Sequence, residues 1–158
     1  MKQDRFLTGI LIGIAVLVVI ALVVFFVRKD NLAYVADDNP AGVVQNYAVA
    51  IYKHDYEKAY SYLAELPNKP TLDQFEQAFF NHSVASANTA LEIGKVEVNK
   101  DSALVDLSIN NQPSGPFASE FRNTDYAQLV RQNGAWKIKQ MPPYYFWAYD
   151  WYTPTPKP

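Results

Sequence analysis

The residues of this chain that could do chemistry are few and scattered. Of 158 residues, two are His and none is Cys. That excludes disulfides, thiolate metal sites and cysteine nucleophiles. His54 and His82 stand apart from each other, so no metal site is expected. No serine sits in a nucleophile elbow, and the six glycines make no phosphate-cradling loop. What remains is general acid–base work by carboxylates, His and Tyr. Among the helical candidates, Asp55 reads as a helix cap and His54 as a helix end. His82 lies near the end of a third helix, where a cation is favourable; Asp73 and Glu76 share that helix. On the strands, Glu92, Glu97, Asp106 and Glu120 each alternate with apolar neighbours and read as solvent-facing. No catalytic residue is assigned and no cofactor is expected. Were the chain an enzyme, Tyr47, His54 and Asp106 would be its acid–base groups.

The elements that would position these groups begin after an apolar segment. Phe6 to Val27, "FLTGILIGIAVLVVIALVVFFV", carries no charge. As a helix rising ~1.5 Å per residue it would extend roughly 33 Å, enough for a bilayer core. It therefore reads as a transmembrane anchor rather than a cleaved signal peptide, whose apolar run is usually ~7–15 residues. Lys2 and Arg5 before it balance Arg28 and Lys29 after it, and the free amino terminus tips the orientation towards a cytoplasmic N-terminus. The expected layout is a cytoplasmic tail over 1–5, a single-pass anchor over 6–27, a linker over 28–38, a folded extracytoplasmic domain over 39–143 and a tail over 144–158. Gly9 and Gly13 form a small-xxx-small pair, a candidate helix-packing and homodimer contact. From Asp30 onwards there are 15 acidic and 10 basic residues. This acidic balance, without a Lys/Arg cluster, argues against nucleic acid.

Asn39 and Pro40 open a helix as N-cap and first residue. Val43, Val44, Tyr47, Ala48, Ile51 and Tyr52 then recur on one helical face. Asp55 caps a second helix bearing Tyr56, Ala59, Tyr60 and Leu63, which Pro67 and Pro70 end. Thr71 and Gln74 form a capping-box pattern before Leu72, Phe75 and Phe79. From Thr89 the period becomes two. Leu91 and Ile93 alternate until Gly94, where a phase slip before Val96 and Val98 suggests a bulge. Ala103, Val105, Leu107 and Ile109 share one face of the next strand, and "FASEF", Phe117 to Phe121, alternates again. Asn133-Gly134 is a type I′ hairpin signal, with Trp136 and Ile138 facing in and Lys137 and Lys139 facing out. Helices followed by antiparallel strands make an α+β architecture.

"VVQNYAVAIYKHDYEKAYSYL" resembles the opening helices of nuclear transport factor 2-like (cystatin-like) domains of the membrane-anchored bacterial kind, and "LVRQNGAWKIKQMP" resembles their closing hairpin. The resemblance covers roughly Asn39 to Pro143. It implies a cone-shaped domain in which helices pack on a strongly curved antiparallel sheet, with a cavity between them. Its candidate lining residues are Tyr47, Ile51, Tyr60, Phe79 and Trp136. The superfamily holds enzymes, among them ketosteroid isomerase and scytalone dehydratase, and many non-catalytic members, so the fold alone does not choose a function.

The chain closes on an aromatic segment. Tyr144, Tyr145, Phe146, Trp147, Tyr149, Trp151 and Tyr152 are seven of the nine residues from Tyr144 to Tyr152. Three arrangements are compatible with it. It packs back on the domain, since its exposure would leave a large apolar patch; it forms a recognition surface for protein or sugar; or it dips into a membrane interface. The last residues, "TPTPKP", read as an extended tail. The sequence thus points to a non-catalytic binding or structural module at the cell envelope, its partner an envelope protein, a cell-wall component or a small apolar ligand. The alternative is an isomerase/dehydratase-type enzyme in the same fold.

Overall fold

The computed structural model describes residues 5–29, 32–84, 89–111 and 121–153. The chain divides into two units, Met1–Ala33 and Tyr34–Pro158. The first contains helix α1 (Arg5–Lys29). Among the described residues no helix is long and apolar enough to cross a membrane. This corrects the expected transmembrane anchor over 6–27, and the single-pass and signal-anchor readings fall with it.

The second unit is α+β. Helices α2 (Pro40–Tyr52), α3 (Tyr56–Ser61) and α4 (Leu72–Phe80) precede strands β1 (Thr89–Asn99), β2 (Ser102–Asn111), β3 (Phe121–Gln132) and β4 (Ala135–Gln140). Each helix starts where its cap dictates. The Asn39 side chain accepts from the Gly42 N–H at 2.9 Å. Asp55 accepts from the Lys58 N–H. Thr71 and Gln74 make both bonds of the capping box. α2 is buried on nearly every face, a wider burial than its single apolar stripe predicts. The added cover comes from residues 34–38, expected as part of a free linker. Val35 pairs with the Asn46 amide through two 2.8 Å hydrogen bonds, one from the Val35 N–H and one to the Val35 carbonyl. Tyr34 donates to Asp55, and the Lys53 ammonium lies 4.8 Å from the Tyr34 ring centroid.

The four strands form one antiparallel sheet in the order β1-β2-β3-β4. The β1–β2 register shifts between Ile93 and Val96, a bulge at the Gly94 phase slip. Asn133 and Gly134 both take positive φ, 52° and 81°, as a I′ turn between β3 and β4 requires. Ala103, Val105, Leu107, Ile109, Ala127, Leu129, Trp136 and Ile138 form the buried face of the sheet. Val98 is on that face by register, opposite Ala103, yet is exposed. Beside β4, residues 62–64 act as a further short strand: Ala64 N–H donates to Ile138 and Ile138 N–H to Tyr62, both at 2.8 Å. Part of the "FASEF" reading, 117–120 with Glu120, lies outside the described residues, as do 1–4 and 154–158, with most of "TPTPKP".

The aromatic segment completes the core. Phe146, Trp147 and Trp151 are buried with Tyr47, Phe75 and Phe79 in one cluster. Trp151 stacks on Phe75 at 4.8 Å between centroids, and Trp147 stacks on Tyr152 at 5.5 Å.

Candidate functional site

The five candidate lining residues are placed in the interior packing. Tyr47, Ile51, Phe79 and Trp136 are buried, and Tyr60 is half-buried against the same cluster. Tyr47 is wholly enclosed, and its hydroxyl donates to the Phe146 carbonyl at 2.7 Å. Burial pushes this phenol well above its ordinary value, and Tyr152 adds to the effect. Tyr60 donates to the Pro70 carbonyl at 2.8 Å and lies under the Lys69 ammonium, 4.1 Å from the ring centroid. Each polar tip is therefore engaged by the protein itself, as buried Tyr requires.

The three residues named for an acid–base site are not brought together. Tyr47 is in the core. His54 is exposed, its Nδ1 2.9 Å from the Tyr56 hydroxyl. Asp106 is exposed on the outer face, opposite Tyr126. Glu92 and Glu97 are exposed and paired with Arg122 and Lys95 respectively. Among the described residues no group of three metal-binding side chains is placed to hold an ion.

One acid was missed by the sequence reading. The β2–β3 register sets Asp125 opposite Leu107 and Asn123 opposite Ile109, on the inner face by register, with Asp125 half-buried and Asn123 exposed. The Asn123 amide donates to the Tyr145 hydroxyl at 3.0 Å, and Asp125 accepts from the Tyr126 N–H. The signal was present: alternation read backwards from Ala127 reaches Asp125 and then Asn123.

The surface next to the C-terminal segment is concave. A groove of about 610 Å³ lies between α4, the α3–α4 connection and the end of the chain. Its walls carry Asn68, Gln74, Gln77, Asn81 and Asp150, with Trp151 and Ala78 as apolar floor. A second groove of about 540 Å³ is lined by Pro67, Pro143, Trp147, Tyr149 and Tyr152. Asn68, Trp151 and Thr153 line both. None of the five cone-lining candidates lines either groove, whereas Trp147, Tyr149, Trp151 and Tyr152 of the aromatic segment do. Of the aromatic segment, Tyr144 and Tyr149 are exposed, Tyr145 and Tyr152 half-buried, and Phe146, Trp147 and Trp151 buried.

The segment is latched from the groove side. The Tyr152 N–H donates to the Asn68 carbonyl at 3.2 Å and its hydroxyl to the Ala64 carbonyl at 2.6 Å. Burial raises the Tyr152 phenol, and the Glu65 carboxylate raises it further. At Gly9 and Gly13, in the other unit, an added Cβ would meet nothing within 4 Å.

No protein-family model and no curated protein matches the chain. Solved structures do. A SEC-C motif containing protein from Rhodopseudomonas palustris is similar at TM-score 0.51 and 12% identity, over 67% of this chain and 79% of that one. An uncharacterized cystatin fold protein from Novosphingobium aromaticivorans is similar at TM-score 0.42 and 10% identity, over 61% and 92%. A protein designated an NTF2-like transpeptidase, from Campylobacter jejuni, is similar at TM-score 0.42 and 17% identity, over 65% and 99%. The first is a likeness of fold alone, and at these identities no ligand or activity carries over.

Proposed function

We propose that the Tyr34–Pro158 unit is a non-catalytic binding module whose ligand surface is the pair of grooves around Trp151. One observation carries this reading. The interior that would hold a substrate is filled by the chain's own end, with Tyr47 sealed on the Phe146 carbonyl and Phe146, Trp147 and Trp151 buried around it. A closed aromatic interior leaves no room to bring a substrate to an acid–base pair. Recognition then falls to the surface, where Tyr149 is 73% exposed on the rim of a groove.

The test is a map of amide chemical shifts in the full chain as soluble oligosaccharides and proline-rich peptides are added. Perturbed residues are expected between 66 and 83 and between 147 and 153. Perturbations centred on Tyr47, Tyr52 and Asp125 would sink the proposal.

A second reading rests on Asp125. A carboxylate on the inner face by register is what an isomerase or dehydratase of this fold class would use as its base. Asp125→Asn distinguishes the two: a binding module keeps its ligand affinity, whereas an enzyme loses its turnover.

A further inference from the structure

The two grooves differ in a way that selects a ligand class, given that the binding-module reading holds. The wall formed by α4 and the α3–α4 connection offers side-chain amides. Those of Asn68, Gln77 and Asn81, and the Asp150 carboxylate, make no hydrogen bond among the described residues. They supply donors and acceptors side by side. The adjoining wall offers ring faces and edges, with Tyr149 in no ring contact among the described residues.

The charges are few. Lys69, the groove's cation, is paired with Glu65 at 2.6 Å and its side chain is only 11% exposed. That leaves Asp150 in the first groove and Lys139 in the second as the unpaired charges among the described residues, one of each sign, so the surface has no net charge that would favour an ionic ligand. Asn68 and Tyr152 are joined by a hydrogen bond between the two grooves, which ties the two walls together.

We infer that this surface binds an uncharged oligosaccharide chain. A pyranose ring is itself two-sided: its C–H face stacks on an aromatic ring, and its rim of hydroxyls pairs with amides and a carboxylate. An aromatic wall meeting an amide wall matches that chemistry. A proline-rich peptide would match the aromatic wall, but with few N–H groups of its own it would leave the amide oxygens and the Asp150 carboxylate without donors.

The experiment titrates the full chain with chitotetraose, cellotetraose and maltotetraose in turn, following Trp fluorescence. A proline-rich decapeptide and tetragalacturonate serve as comparison probes. At least one neutral tetrasaccharide is expected to saturate the signal. Gln77→Ala and Asn81→Ala should each weaken it about tenfold, the cost of one lost hydrogen bond. Tyr149→Ala should weaken it similarly, while Tyr149→Phe, which keeps the ring face, should bind nearly as well as the parent. Peptide binding without sugar binding would overturn the oligosaccharide assignment and leave the binding module standing. No saturation by any of the three neutral sugars, with the variants folded, overturns the assignment equally. Binding that Tyr149→Ala, Gln77→Ala and Asn81→Ala all leave untouched would remove the grooves themselves, and the binding-module reading with them.

Discussion

Burial sets the protonation of Tyr47. Its phenol is wholly enclosed and donates to a backbone carbonyl 99 residues away in sequence. An enclosed phenolate has neither water nor a cation to stabilise it, so the folded state holds the proton well above the ordinary value of 10.0. In the unfolded chain the same phenol ionises near that value. The stability it contributes is complete below about pH 10 and is lost as pH rises towards the folded value, at about 1.4 kcal/mol per pH unit. Alkaline denaturation followed by ultraviolet absorbance should show this tyrosine ionising only as the domain unfolds. Tyr47→Phe should reduce that slope and, by orphaning the Phe146 carbonyl, cost about 1–2 kcal/mol at neutral pH. A free-solution titration of all eleven tyrosines before unfolding would disprove the enclosure. Asn46 is a second such residue: aromatic residues aside, it alone among the described residues is a buried polar side chain. Asn46→Ala leaves the Val35 N–H and carbonyl without partners, and should lower stability by about 2–3 kcal/mol in urea denaturation.

At the level of elements, the same pairing governs how the domain begins. Residues 34–38 lie against α2 so closely that a Cβ at Gly42 would sit 2.0 Å from the Ala36 carbonyl oxygen. Backbone cannot yield as a side-chain tip can, so Gly42→Ala should displace the segment and cost about 1–3 kcal/mol. The check is hydrogen exchange: faster exchange is expected at the Val35 amide, and none in the β3–β4 hairpin. Local grammar made most elements legible in the sequence. Caps at Asn39, Asp55 and Thr71, the Asn133-Gly134 turn and the Gly94 slip are all short-range signals, and each lies where the chemistry of the adjacent residues puts it. Long-range pairing was not legible. Nothing in "AYVADD" announces that Val35 will bond an asparagine 11 residues on, and the inward phase of Asp125 appears only when β3 is read back from Ala127. The grooves were illegible for the same reason. Their walls come from the α3–α4 connection, from α4 and from the last turn of the chain, which only tertiary packing joins. The apolar run of 6–27 reads as a membrane span by composition, whereas among the described residues no helix is long and apolar enough to cross a membrane.

For the whole molecule, the decisive question is whether the C-terminal segment is an appendage or a part of the core. By contacts it is core. Phe146 is fully buried, Trp147 and Trp151 nearly so, and Trp151 stacks directly on Phe75 of α4. Truncating one buried Phe or Trp to Ala typically costs about 3–5 kcal/mol. Removing three such rings at once rivals the entire ~5–15 kcal/mol stability of an ordinary domain. Ending the chain at Pro143 should therefore abolish cooperative unfolding, with loss of near-ultraviolet circular dichroism and gain of dye binding to exposed apolar surface. Trp151→Ala is the graded version. It should remain folded, melt cooperatively and lose about 3–5 kcal/mol, because the cavity it leaves is bounded by Phe75, Phe79 and Trp147, which cannot all collapse into it. The two outcomes bear on function as well as on stability. If the truncated chain instead melts cooperatively close to the full-length temperature, the aromatic end is dispensable and the interior behind it is an open cavity. The Asp125 reading would then gain what the binding-module reading loses, since a carboxylate on the inner face would have both the space and the access that catalysis demands.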